Sequence, residues 1–87
     1  MKYNFPKIRF IEENTLHTQL LHFASECIEI AERIEHGDMW GITEEVIDMM
    51  HSAETWLRIV ERHGVDVDGE ISKVIEKNRK RGYYGEG

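Results

Sequence analysis

The sequence predicts an all-α fold, a three-helix unit that oligomerisation completes into a bundle. Three observations carry this. Apolar residues recur at spacings of three and four through two long stretches, with glycine where helices stop and threonine, asparagine or aspartate where they start. No period-two alternation of the kind a half-buried strand needs persists anywhere. The chain has 87 residues, enough for one domain. A chain of this size buries only roughly 60 % of its unfolded surface, so a partner copy that adds core is expected.

The first helix is expected over 15–36. Asn14 or Thr15 can cap it, and Leu16, Leu20, Phe23, Ala24, Cys27, Ala31 and Ile34 form its apolar stripe. Gly37 ends it. A loop over 36–43 follows, with Thr43 as the cap of a second helix over 43–63 and Glu44 and Glu45 in its first turn. Val46, Ile47, Met49, Met50, Ala53, Trp56, Leu57 and Val60 cover more than half of that helix, which is therefore expected to be buried on more than one side. Gly64 suits the position after its end. Asp66 or Asp68 starts a third helix, over 68–80, with Ile71, Val74 and Ile75 inward. Three helices leave that apolar surface partly uncovered, which points to a homodimer or homotetramer.

Composition narrows the function. The net charge is −6, from 17 acidic and 11 basic side chains, which argues against a duplex nucleic-acid surface. Cys27 is the one cysteine, so an intrachain disulfide is excluded, and a small buried hydrophobe is the expected role. The first ten residues have no apolar run that would make a signal peptide, and no stretch is apolar for the ~18 residues of a membrane span. A cytoplasmic location is the default. Lys73, Lys77, Arg79, Lys80 and Arg81 crowd the C-terminal part, either as a solvated helix end or as a site for a small anion.

The chemistry lies in two acidic pairs, Glu26-x-x-Glu29 and Glu45-x-x-Asp48. At a spacing of three, both members of a pair project from one helix face. Gln19, His22, Glu26 and Glu29 form one polar stripe; Glu45, Asp48, Ser52 and Thr55 form another. If the two helices pack antiparallel, the stripes can share a cleft. Carboxylates that close repel, and hard divalent cations relieve them; all-oxygen ligands favour Mg²⁺ or Mn²⁺. Magnesium held this way keeps positions for water and substrate phosphates. Asp48-x-x-His51 is half of a di-iron motif whose second copy is missing, so His51 is expected on the helix surface or behind the ligands. No glycine-rich phosphate loop, nucleophile elbow or zinc spacing is present.

With that helix order, the four carboxylates resemble the metal signature of the MazG-like all-α nucleoside triphosphate pyrophosphohydrolases. Lys77-Asn78-Arg79-Lys80-Arg81-Gly82-Tyr83-Tyr84 is similar to the segment after the third core helix of that family. The resemblance spans residues 15–84. It implies Mg²⁺ ligation by Glu26, Glu29, Glu45 and Asp48, with Glu29 or Glu45 as proton acceptor. It further implies substrate contacts from Lys77, Asn78, Arg81 and Tyr84, beside Gln19 and His22 on the acidic stripe. The reaction implied is cleavage of a nucleoside triphosphate to monophosphate and pyrophosphate, in a dimer or tetramer. Trp40 or Phe10 is the expected stacking partner for the base. A non-catalytic regulatory or nucleotide-sensing module of the same fold is the alternative.

Overall fold

A computed structural model describes residues 2–9 and 13–85, which form three helices with no strand among them: α1 (Leu16–His36), α2 (Met39–Arg62) and α3 (Val67–Lys80). Helix α1 starts where Thr15 Oγ1 accepts from the Thr18 N–H at 3.0 Å. It stops at Gly37, whose φ of 68° is left-handed and whose N–H donates to Ile34 O.

The second helix starts earlier than the sequence predicts. Asp38 is its cap, accepting from the Gly41 N–H at 3.0 Å, so the connection shrinks to Gly37 and Asp38. Thr43 lies inside the helix and donates its hydroxyl to Met39 O. Glu44 and Glu45 accordingly sit in the second turn. Asp66 starts α3 by the same device, accepting from the Gly69 N–H. Asp-x-x-Gly thus opens both helices; the sequence points to Asp66, whereas at Asp38 the signal is outweighed by Thr43.

Helices α1 and α2 form an antiparallel hairpin. Trp56 Nε1 donates to Leu16 O at 3.1 Å, Gln19 Nε2 donates to Ser52 O at 2.9 Å, and Arg33 reaches Asp38 and Glu45 beside the turn. Helix α3 packs on α2 and makes no contact with α1. The core is small: among the described residues Ile59, Val60 and Val67 are the buried apolar ones. Much of the expected apolar surface is open. Leu20 and Ile34 on α1, Ile47 and Met50 on α2, and Ile71, Val74 and Ile75 on α3 are all exposed. Cys27 is exposed as well, its Sγ 3.4 Å from Met49 Sδ, where the sequence predicts burial. All these residues lie on stripes that a single chain covers on one side only.

The segment before α1 is strapped to α2. Buried Glu54 accepts from the backbone N–H groups of Asn4 and Phe5, the latter at 3.2 Å. Arg58 donates to Phe5 O at 2.8 Å and lies over the Tyr3 ring. Burial and the bond from the Tyr3 hydroxyl to Glu61 push that phenol up to about 12. Phe5 stacks on His51, which is half-buried beneath it rather than on the helix surface. Glu54→Ala leaves two backbone donors without their acceptor. Urea unfolding is expected to show a loss of about 2–3 kcal/mol, the range for hydrogen bonds to a charged group. A loss below ~0.5 kcal/mol would mean that the strap contributes nothing to stability.

Candidate metal centre

Helix α1 carries Glu26 and Glu29 one turn apart, and α2 carries Glu45 opposite them. Carboxylate oxygens of the three lie within 4.8 Å of one another. Glu26 is nearly buried at 9 % exposure, Glu45 is half-buried and Glu29 faces outward. His22, one turn before Glu26, holds Glu26 Oε1 through Nε2 at 3.1 Å. Beside the trio is a polar cleft of about 440 Å³ lined by Glu29, Glu32, Arg33, His36 and Glu45.

Crowding shows in the proton affinity of one member. Glu29 hydrogen-bonds Glu45, and this bond, with partial desolvation and the negative charges of Glu45, Glu26 and Glu32, raises its pKa above the ordinary 4.5. A cation held among these carboxylates would relieve the same crowding. The donor set is all oxygen and dense in charge, so it fits a hard divalent cation.

A raised folded-state pKa has a definite sign for stability. The contribution of Glu29 is fully present below its unfolded value and is lost as pH rises through the raised folded value. The cation-free protein is therefore expected to lose melting temperature as pH climbs from 4.5. Mg²⁺ should restore it more at the high end, because the metal competes with the proton. Thermal melts across pH with EDTA and with Mg²⁺ check this. Parallel pH curves in the two conditions would refute the competition.

The remaining expected site residues are dispersed. Asp48 is exposed on α2 and stands outside the close trio. Gln19 is 4 % exposed, with Nε2 spent on Ser52 O and Oε1 on Asn14. From this buried position it clamps the hairpin. Ser52 and Thr55 are buried too, Thr55 donating to His51 O, so of the second polar stripe only Glu45 lines the cleft. Lys77, Asn78, Arg81 and Tyr84 lie on α3 and its tail and do not line the acidic cleft. Trp40 is 85 % exposed in the first turn of α2, and Phe10 lies outside the described residues. The sequence reading missed Arg33, whose Nε is 3.3 Å from Glu45 Oε1. Its signal was the spacing of four from Glu29, which puts it on the acidic face.

The model of the MazG nucleotide pyrophosphohydrolase domain matches residues 14–83. Neither the curated proteins nor the solved structures yield a match. No helix among the described residues is long and apolar enough to cross a membrane.

Proposed function

The chain belongs to the MazG nucleotide pyrophosphohydrolase family, and on that premise we propose that residues 1–87 act as one domain cleaving a ribo- or deoxyribonucleoside triphosphate to the monophosphate and pyrophosphate. The observation that carries this reading is the convergence of Glu26, Glu29 and Glu45 from two helices. These three, with Asp48 one turn beyond Glu45, would hold Mg²⁺, and Mn²⁺ is the natural substitute. A bound divalent cation would offset charge on the phosphates and lower the pKa of an attacking water.

The chain's own groups divide the remaining work. Glu29 or Glu45 is the proton acceptor, and the raised proton affinity of Glu29 suits that role. His22 orients Glu26 through its 3.1 Å contact, a positioning role in place of the expected substrate contact. Lys77, Asn78, Arg81 and Tyr84 bind phosphates and sugar in this proposal. Because α3 packs on α2 alone, they do so in a cleft completed by a second copy.

Pyrophosphate release from a panel of eight ribo- and deoxyribonucleoside triphosphates, with Mg²⁺ and with EDTA, tests the reading. Release from at least one substrate that EDTA abolishes is expected. No release from any of the eight would overturn the proposed reaction.

A further inference from the structure

Arg33 occupies the acidic cleft from α1, one turn beyond Glu29. Its Nε lies 3.3 Å from Glu45 Oε1, and its Nη1 lies 3.4 Å from Asp38 Oδ2. Asp38 is itself held by the start of α2 through the Gly41 N–H. Gly41 leaves the guanidinium its room, since a Cβ built there would stand 2.7 Å from Arg33 Nη1. One nitrogen of the side chain is thus anchored at the cap while another faces a carboxylate of the metal centre. The side chain is 46 % exposed, so it can turn from Glu45 to solvent without unpacking the hairpin.

Resting on the metal-centre reading above, we propose that Arg33 is the cleft's resident counter-ion, which yields Glu45 to the divalent cation and then presents its guanidinium fork to the phosphates of the nucleotide. Two physical points favour exchange over a permanent ion pair. A half-exposed pair at 3.3 Å is weak, of the order of a surface salt bridge, whereas a divalent ion among three carboxylates gains far more. Once released, a guanidinium still anchored beside the cleft offers paired N–H donors, the geometry that matches a phosphate.

Exchange predicts effects of opposite sign on two ligands, which a purely structural role does not. The test uses calorimetric titration of the whole chain, first with Mn²⁺ alone, then with inorganic pyrophosphate at saturating Mn²⁺. Arg33→Met removes a competitor and a like charge, so Mn²⁺ should bind about three- to tenfold more tightly. The same variant should bind pyrophosphate about tenfold or more weakly. Arg33→Lys keeps the charge and loses the fork, so Mn²⁺ affinity should stay within about twofold of wild type while pyrophosphate weakens at least about threefold.

Mn²⁺ affinity unchanged or reduced in Arg33→Met would overturn the exchange and leave the metal centre standing. Unchanged pyrophosphate binding would overturn the phosphate role, and with it the proposal. Absence of Mn²⁺ binding by the wild-type chain would remove both the metal centre and the inference built on it. Should Arg33→Met fail to fold, Arg33→Lys decides, and wild-type pyrophosphate affinity in that variant sinks the idea.

Discussion

Replacing Glu29 or Glu45 by glutamine is expected to lower kcat/KM for triphosphate cleavage by about a hundred- to a thousandfold. The estimate takes roughly 3–4 kcal/mol of transition-state stabilisation from a correctly held cation, at about 1.4 kcal/mol per factor of ten. Neither change should unfold the hairpin. Glu29 is exposed, and either substitution removes a negative charge from a cluster that repels itself. The cation-free variants should melt no lower than wild type, and the rise in melting temperature on adding Mg²⁺ should vanish, because that rise measures metal binding to the folded state. Turnover and the Mg²⁺ shift both surviving in both variants would dismiss the trio as a metal centre.

The second large effect concerns the open apolar faces. Two grooves adjoin at Trp56 and Leu57: one of about 310 Å³ between α2 and α3, lined by Val60, Val74 and Ile75 among others, and one of about 200 Å³ reaching Leu20 and Phe23 on α1. A second copy is expected to cover this continuous apolar surface, in the homodimer or homotetramer that the sequence predicts. Val74→Glu would bury an unpaired carboxylate in that interface, a cost of several kcal/mol. Association should weaken by about a hundredfold or more, with a fall in melting temperature that depends on protein concentration. Sedimentation of both proteins over a range of concentrations reads this directly. A wild-type chain that is well folded and monomeric at micromolar concentration would end the oligomer reading.

The helices were legible in the sequence because each is marked twice, by a period of three and four and by a residue that can cap it. Thr15, Gly37, Gly64 and Asp66 all do what local chemistry asks of them. Asp38 was overlooked because Thr43 offers a side-chain oxygen acceptor of the same capping kind five residues later, and only the hairpin geometry decides between them. The acidic trio was legible because spacing on a helix is nearly geometry already. The clamp made by Gln19 was not legible for the complementary reason: a period places a residue on a face, but does not say whether its amide finds a backbone carbonyl across the hairpin. Arg33 and the strap at Glu54 depend on contacts between elements, which no periodicity encodes.

The two-residue connection at Gly37 and Asp38 also bears on how the protein comes to be folded. Glu26, Glu29 and Glu45 sit on one hairpin, so bringing them together closes only a short loop, and the entropy of that closure is small. Local contacts of this kind favour fast formation, on the microsecond-to-millisecond scale of helical proteins. Helix α3 touches neither α1 nor the trio, so the carboxylates can gather before the rest of the chain has docked. The electrostatic repulsion among them then opposes the earliest native contacts, and a divalent cation that binds the trio is expected to speed hairpin formation as well as to stabilise the finished structure.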